Sequence, residues 1–411
     1  MNRLLPLAFL FMLSLPAAYA NPSGSDFQQL VQSAEQTNDP KLQTQLGIAY
    51  EDGVGTSIDL QLAKKWYEKA AIQDFADAQY NLGLLHYSGK GTEQDYPLAK
   101  SWFEKAAQQG HANAQYNLGF MYDSGSGVPQ NYQTAKMWYE QAALQGQVKA
   151  QNNLASLYFA GEGVAQDYQM AKLWFEKAAE QGHPRAQSNL ATLYLDGLGV
   201  KQDYAQAKLW FEKAAAQNFR QAQYELGIIY EFGLGVPANA SQAKLWHEKA
   251  AVQGHAKAQN NLATLYYTGE GVAQDYATAK LWYEQAARQG NPKAQYNLAL
   301  MYDKGRGMPK NPAQAKLWYG KAADQGHPKA QNNLAYFYSQ DGASEEDLQW
   351  AKTLYEKSAE QGDKEATYNL GLMYYQGKGV VKDLQQAKKW FHFACEKGNQ
   401  SGCVKFNNLS K

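Results

Sequence analysis

The chain has 411 residues, 45% of them hydrophobic, and its 39 acidic residues balance its 39 basic ones. This length and composition are sufficient for a folded protein with a sizeable core. The balanced charge gives no sign of the strongly basic surface that nucleic-acid-binding proteins need, so a nucleic-acid partner is not expected.

Residues 1–20 differ in character from the rest of the chain. Arg3 precedes an apolar run over residues 4–15, and the small-residue pattern AYA follows at residues 18–20. This order is typical of a secretory signal peptide, which we expect to be cleaved before Asn21. An uncleaved membrane anchor is the alternative, but the run is shorter than the roughly 18 to 20 residues that a spanning helix needs. We therefore expect an exported protein, periplasmic or fully secreted, with no later transmembrane segment.

Residues 21–39 are polar, and they predict one short helix around Phe27 to Thr37. Its Leu30 and Ala34 are placed like apolar residues of the second helices described below. We expect this segment to be a second helix that has diverged from the repeat pattern and caps the N-terminal end of the stacked repeats.

From Pro40 to Asn399 the sequence repeats itself every 36 residues, ten times, with no insertion or deletion. Self-similarity at such a period is the signature of a stacked repeat architecture. Residues 400–411 begin an eleventh repeat and stop, so we expect a C-terminal capping segment there.

Each repeat is predicted to form two short helices. In the second repeat, apolar residues with helical spacing mark the first helix at Ala78, Leu82 and Leu85, and the second helix at Ala99, Trp102, Phe103, Ala106 and Ala107. Gly89 and Gly110 are expected to end the two helices, and Asp74 and Asn218 replace the second of these glycines in two repeats. Helices this short cannot bury a core alone, so each pair must stack on the next.

The residue before each second helix is aspartate or asparagine in all ten repeats. We predict that these residues are N-caps, whose side-chain oxygen accepts a backbone N–H that the first turn would otherwise leave unpaired. They are Asp59, Asp95, Asn131, Asp167, Asp203, Asn239, Asp275, Asn311, Asp347 and Asp383.

A tryptophan recurs at one position of the second helix, where we expect it to fill the seam between repeats. It occurs at Trp66, Trp102, Trp138, Trp174, Trp210, Trp246, Trp282, Trp318 and Trp390. In the ninth repeat Leu354 replaces it, and Asp341 and Ala343 replace the two loop glycines. Because Asp347 keeps its place as a cap, we expect this helix pair to survive with a reshaped loop.

The whole pattern is A-x-A-Q-x-N-L-G-x-x-Y-x-x-G-x-G-V-x-x-D-x-x-x-A-x-x-W-[YF]-x-x-A-A-x-x-G, which residues 112–146 follow closely, with Asn131 at the Asp position. It resembles the Sel1-like repeat family, relatives of the tetratricopeptide repeats. The resemblance implies a right-handed α-solenoid and a role as adaptor or scaffold in multiprotein complexes, often at membranes or in bacterial cell envelopes. It implies neither catalysis nor a cofactor.

Four of the seven histidines recur at one repeat position, at His111, His183, His255 and His327. They lie two repeats apart, and stacked helices are separated by about 8 to 10 Å. Such imidazoles cannot share an ion whose ligands sit at about 2 Å. We interpret them as polar residues that follow a helix end, and we predict no metal site.

An enzyme is the alternative from another class of function. Some cysteine-rich members of the family resemble penicillin-binding or β-lactamase-like proteins, and residues 241–244 match S-x-x-K. Lys244 is, however, the repeat lysine, seen also as Lys100, Lys172 and Lys280, and no K-T-G or S-D-N element accompanies it. We predict no catalytic residue and keep a hydrolase of β-lactams or peptidoglycan as the alternative.

The resemblance also implies a disulfide between Cys395 and Cys403, because cysteine-rich members of the family place one across this turn. An exported protein enters an oxidising compartment, which favours the bond. The alternative is a pair of buried free thiols.

The first helices carry a candidate binding face. An asparagine precedes the helix leucine, and a lysine or arginine four residues earlier lies on the same face. The pairs are Lys149 and Asn153, Arg185 and Asn189, Lys257 and Asn261, Lys293 and Asn297, and Lys329 and Asn333.

In tetratricopeptide domains the first helices line the concave surface, and similarly placed side chains clamp a peptide carboxylate. The resemblance therefore implies a protein or peptide partner that is acidic or carries a free carboxylate. In the alternative interpretation, the asparagines bond to the neighbouring repeat and the lysines are merely solvated. A secreted factor that contacts host proteins remains a further option.

Overall fold

The structure is a computed structural model that describes residues 24–410. The predicted signal peptide, residues 1–20, lies outside this part of the chain. The described residues form 22 α-helices and no strand, which confirms an all-α fold. Within them, no helix combines the length and the apolar character that crossing a membrane requires.

In chain order the helices are α1 (Gly24–Thr37), α2 (Pro40–Asp52), α3 (Leu60–Ala71), α4 (Ala76–Ser88), α5 (Tyr96–Gln108), α6 (Ala112–Ser124), α7 (Tyr132–Leu144), α8 (Val148–Ala160), α9 (Tyr168–Glu180), α10 (Pro184–Asp196), α11 (Tyr204–Ala216), α12 (Arg220–Phe232), α13 (Ala240–Val252), α14 (Ala256–Thr268), α15 (Tyr276–Arg288), α16 (Pro292–Lys304), α17 (Pro312–Asp324), α18 (Pro328–Tyr338), α19 (Glu345–Glu360), α20 (Lys364–Gln376), α21 (Leu384–Glu396) and α22 (Gln400–Asn408).

Each repeat is one helix pair, from α2 and α3 to α20 and α21. The chain divides into two compact units between Gln202 and Asp203. Within each compact unit, first helices of neighbouring repeats approach one another, as α6 and α8 do in one and α12 and α14 in the other. The first helices therefore form one row and the second helices another, which is the arrangement of an α-solenoid.

The core of each repeat is built around the aromatic residue that follows the seam tryptophan. Phe103 and Tyr139, for example, have no exposed surface. A Cβ atom added to Gly119 would lie 2.5 Å from the Tyr139 ring. This contact explains why the position holds glycine here, and in every other repeat it holds glycine or alanine. In the sixth repeat His247 takes the place of the aromatic residue and is equally buried.

The tryptophans lie at the seams between repeats, but most are only half-buried. Trp138, for example, packs against the cluster of Phe103 in the preceding repeat. The outer face of the ring is often covered by a lysine three residues later, as by Lys177 over Trp174, where Nζ is 4.4 Å from the ring centre. The seam is thus closed by an aromatic ring together with a lysine, and the fully buried part is the adjacent aromatic residue.

Nine of the ten predicted N-caps are confirmed, because the side chain of each accepts a backbone N–H from the first turn. Asp74 and Asn218 adopt the left-handed conformation expected of the glycines they replace, each with φ of 59°. The sequence of this chain therefore predicts most helix N-caps and the left-handed residues that end helices.

The predicted cap at Asp347 is wrong. Helix α19 begins three residues early, at Glu345, and Ser344 is its N-cap. The backbone N–H of Asp347 donates to Ser344 Oγ over 3.1 Å, and the Asp347 carboxylate accepts from that hydroxyl over 2.8 Å. Because the loop lacks its two glycines, α18 ends early at Tyr338, and a serine N-cap then starts the next helix ahead of the repeat register.

A buried glutamine near the start of the first helix links neighbouring repeats, and the sequence analysis did not single it out. In the seventh repeat Gln259 Nε2 donates to the Ala251 carbonyl oxygen at the end of the preceding second helix, over 3.0 Å. Gln289 Nε2 in turn donates to Gln259 Oε1 over 2.7 Å. The same two bonds recur at Gln79 and Gln109, Gln115 and Gln145, Gln151 and Gln181, Gln223 and Gln253, Gln295 and Gln325, and Gln331 and Gln361.

Single helices lie at both ends of the described array. Helix α1 buries Phe27 and Ala34 in a cluster with Trp66 of the first repeat. Helix α22 packs against α21, and the Cα atoms of Cys395 and Cys403 are 4.5 Å apart, at disulfide-bonding distance. These end helices cover surfaces that a further repeat would otherwise cover.

The glutamine bonds generate a stability prediction. Gln259→Met keeps the side-chain volume but removes one of the two hydrogen bonds to the Ala251 carbonyl oxygen, the other coming from the Gly254 N–H over 2.9 Å, and takes away the acceptor of Gln289. It should lower the free energy of unfolding by about 1 to 2 kcal/mol, the scale of one or two lost hydrogen bonds. In the tenth repeat Thr367 replaces the glutamine, and Lys397 Nζ donates directly to the preceding second helix over 3.0 Å. Gln259→Thr combined with Gln289→Lys copies that arrangement and should recover much of the loss in urea titrations. Equal stability of Gln259→Met and the wild type would contradict the role of the bond.

Candidate partner-binding surface

The recurring histidines are N-caps of first helices. Nδ1 of His255 accepts the backbone N–H of Ala258 over 3.2 Å, and the imidazole stacks on Tyr224 with ring centres 4.6 Å apart. His111 is held in the same way on Tyr80, and His327 on Tyr296. Each of these histidines therefore holds one repeat to the preceding one. Among residues 24–410 no group of three His, Cys, Asp or Glu side chains is placed to hold a metal ion.

His183 and His255 are held in the neutral form. Burial, assisted by Arg185 and Lys149, lowers the pKa of His183 to about 4. Burial, assisted by Arg220 and Lys257, lowers the pKa of His255 to about 4 as well. A neutral imidazole is needed here because a protonated Nδ1 cannot accept the capping N–H.

Three lysines of the predicted binding face form no ion pair within the described residues. Lys257, Lys293 and Lys329 are exposed at the same position of α14, α16 and α18. In the described part of the chain none of the three has an ion-pair partner. Arg185 is also exposed, whereas Lys149 is half-buried and burial lowers its pKa.

The lysines of the second helices are used differently. Lys172 and Lys244, for example, donate to a glutamate one turn later, each over 2.7 Å. Lys100 and Lys208 form the same pair over 2.6 Å. These second-helix lysines are therefore paired, Lys244 among them, whereas Lys257, Lys293 and Lys329 on the first helices are not paired within the described residues.

The asparagines of the predicted face are half-buried and bridge neighbouring repeats. Asn153 Nδ2 donates to the Tyr139 hydroxyl over 3.0 Å, and Asn261 Nδ2 donates to Glu231 Oε2 over 3.4 Å. Asn297 Nδ2 reaches the Asn260 side chain of the preceding repeat over 3.2 Å, and Asn333 accepts from the adjacent Asn332 over 3.1 Å. Asn189 is half-buried at the equivalent position.

Carboxylates near the end of some first helices were not anticipated from the sequence. Glu51 accepts from the Tyr67 hydroxyl over 2.8 Å, and Asp123 accepts from the Tyr139 hydroxyl over 3.1 Å. Burial, followed by the nearby carboxylate, raises the pKa of both tyrosines. Where the buried aromatic residue is phenylalanine, the partner position is instead apolar or aromatic, as in Phe103 with Tyr87, Phe175 with Phe159 and Phe391 with Tyr375. The sequence therefore contains a signal for this contact, which is an acidic residue 16 positions before a buried tyrosine. Before a buried phenylalanine, the residue at that spacing is apolar or aromatic.

Comparison with known proteins places the chain among repeat proteins. A model of the Sel1 repeat matches it ten times, at residues 40–75, 76–111, 112–147, 148–183, 184–219, 220–255, 256–291, 292–327, 328–363 and 364–399. No curated protein matches the chain.

Two crystal structures are similar to the chain. One is a protective antigen present in uropathogenic Escherichia coli strains, which displays an SLR fold. It is 39% identical, with a TM-score of 0.81, and the match covers 93% of this chain and 82% of that one. The other is a Sel1 repeat protein from Oxalobacter formigenes, 35% identical with a TM-score of 0.59, over 75% of this chain and 89% of that one. Repeat folds of this kind typically serve as protein–protein interaction scaffolds.

The histidine caps generate a pH prediction. A pKa lowered from 6.5 to about 4 on folding means that the cap contributes its full stability above pH 6.5, which is lost as the pH falls towards 4. Replacing both histidines, His183→Asn and His255→Asn, should reduce the drop in melting temperature between pH 7 and pH 4. Asn291 already caps α16 in this way, accepting the Ala294 N–H over 2.9 Å. An unchanged drop would show that these histidines do not govern acid stability.

Proposed function

This chain belongs to the Sel1 repeat family, and we propose that it is a protein-binding scaffold of the bacterial cell envelope. The observation that carries the proposal is the row of Lys257, Lys293 and Lys329. These exposed side chains occupy one position in three successive first helices and lack ion-pair partners within the described residues. Stability does not require a charge that pairs with nothing in its own chain, so such a row is suited to a partner.

The partner we propose is a protein or peptide segment that is acidic or ends in a free carboxylate. Lysine side chains attract such groups and form charge-assisted hydrogen bonds with them. The centre of the surface is residues 256–333, where lysines follow one another in three repeats. Lys149 and Arg185 occupy the same repeat position in α8 and α10, which belong to the other compact unit.

The asparagines contribute to this surface indirectly. Because Asn261 and Asn297 hydrogen-bond to the preceding repeat, they fix the spacing of the first helices that carry the lysines. We assign the partner contact to the lysines and this positioning role to the asparagines.

We further propose that the protein is exported to the periplasm. The leader-like residues 1–20 support export, and the cysteine pair at bonding distance is suited to an oxidising compartment. The similar Escherichia coli protein is described as a protective antigen, which favours full secretion and contact with host proteins as the second candidate.

Charge reversal tests the partner surface. Lys293→Glu combined with Lys329→Glu should sharply weaken binding of a glutamate-rich peptide with a free C-terminus and flatten its salt dependence, because two attractive charges become repulsive. The fold should be intact, since both side chains are exposed. The control is Lys100→Glu combined with Lys172→Glu on second helices, which should have little effect on binding in anisotropy titrations. Equal losses in both double variants, or no loss in either, would refute the first-helix surface.

Thiol titration tests the compartment. Protein purified from the periplasm, denatured without reductant, should show no reactive thiol, because the bond between Cys395 and Cys403 forms on export. A short disulfide loop of this kind contributes about 2 to 3 kcal/mol, so reduction should loosen α22 first in hydrogen exchange. Two reactive thiols in the exported protein would contradict the assignment.

A further inference from the structure

The ninth repeat departs from the other nine in both of its helices. Helix α18 ends at Tyr338 without a left-handed cap, and α19 has 16 residues, whereas the other second helices of the repeats have 12 or 13. The additional turn projects the start of α19 beyond the register of its neighbours by about 4.5 Å, given the rise of an α-helix.

The tryptophan of this repeat has moved to the surface. Leu354 occupies the seam, and Trp350, one turn earlier, is 57% exposed. The other tryptophans in the described chain are buried or half-buried. The neighbouring repeats have Gln314 and Gln386 at the position of Trp350. The exchange gives up apolar burial at the seam and places a large aromatic ring in water, so it does not serve the stability of the array.

A depression lies at the start of α19. It has a volume of about 230 Å³, and its lining includes Lys316, Tyr338, Asp341 and Asp347. It forms where the loop lacks the glycine turn of the other repeats. Asp347 precedes Trp350 by three residues, so both side chains lie on one face of α19. Tryptophan is among the residues most enriched in interaction hot spots, and Trp350 is exposed on the helix face of a residue that lines the depression.

The charge of the segment identifies the chemistry of the partner. Residues 341–350 contain four acidic residues, Asp341, Glu345, Glu346 and Asp347, and no basic one. Asp341 pairs with Lys378 over 3.3 Å, and Lys316 lies over the Tyr338 ring at 3.9 Å. Glu345, Glu346 and Asp347 have no ion-pair partner among the described residues, and Glu346 and Asp347 precede Trp350 by four and three residues, on the same helix face. An indole face also attracts cations. Two copies of this surface would repel each other, which disfavours self-association through it.

We propose that the start of α19 is a second docking surface, which takes a lysine- or arginine-bearing segment of a partner protein with Trp350 as its aromatic anchor. The surface goes beyond the proposed scaffold function, because it lies on a second helix and selects the opposite charge to the first-helix lysines. A scaffold with two such surfaces holds two partners of different chemistry.

The test uses the chain from residue 21 and a fluorescein-labelled peptide of alternating lysine and glycine, blocked at both ends. Its glutamate counterpart serves as the second probe. Anisotropy titration should show binding of the lysine peptide and a weakening of about tenfold in Trp350→Gln, the scale expected for loss of an anchor residue. This substitution restores the residue type of the flanking repeats, so the variant should keep the melting temperature of the wild type.

A matched control moves the tryptophan to the equivalent position of the tenth repeat, which has no acidic segment. Trp350→Gln combined with Gln386→Trp should bind as weakly as Trp350→Gln alone, because the tenth repeat lacks the acidic turn. Glu345→Gln combined with Glu346→Gln should also weaken binding while Trp350 is kept. Lysine-peptide affinity that is unchanged in Trp350→Gln would overturn the proposal. So would Trp350-dependent binding of the glutamate peptide, or Trp350-dependent self-association in sedimentation experiments.

Discussion

The hydrogen bonds of one buried glutamine set the geometry of each repeat junction. Gln259 occupies a position that is 3% exposed, where an unpaired amide would be costly. It donates to the Ala251 carbonyl oxygen near the end of α13, which also accepts the Gly254 N–H over 2.9 Å. It also accepts from Gln289. One side chain thereby fixes the last turn of one repeat, the first helix of the next and the end of that repeat's second helix.

This constraint accounts for the strict repeat length. A residue inserted between Gln259 and Gln289 that rotated one helix relative to the other would break the bond between them and leave the buried Gln259 Oε1 without this donor, which costs more than most surface changes. The buried ring at Tyr283 adds a second requirement, since it leaves room only for a small residue on the facing first helix. Because the register is held so closely, a side chain placed once per repeat recurs at the same position of successive first helices. Lys257, Lys293 and Lys329 do so for this reason.

Much of the fold is readable from the sequence because its signals are local. A cap such as Asp275 is specified by its own turn. The glutamines were missed because a polar residue in an amphipathic helix is normally taken to face water, and its burial depends on a partner 30 residues away in the same repeat. Asp347 was assigned wrongly because the repeat register was extended across a loop that had lost its glycines. Spacing also revealed the lysine row, but whether a lysine is paired or free depends on tertiary contacts.

Departures from the repeat are therefore of two kinds. In one kind a second substitution restores the lost contact between repeats, and in the other it does not. In the tenth repeat Thr367 removes the glutamine, yet Lys397 reaches the same class of carbonyl oxygen, so the junction is preserved by a second change. In the ninth repeat the loss of the seam tryptophan is not restored in this way: Leu354 is smaller, and the ring reappears at Trp350 in contact with water. A compensated change maintains the array. An uncompensated one lowers the stability of a chain whose other positions are tightly determined, and binding to a partner is the physical gain that offsets such a loss.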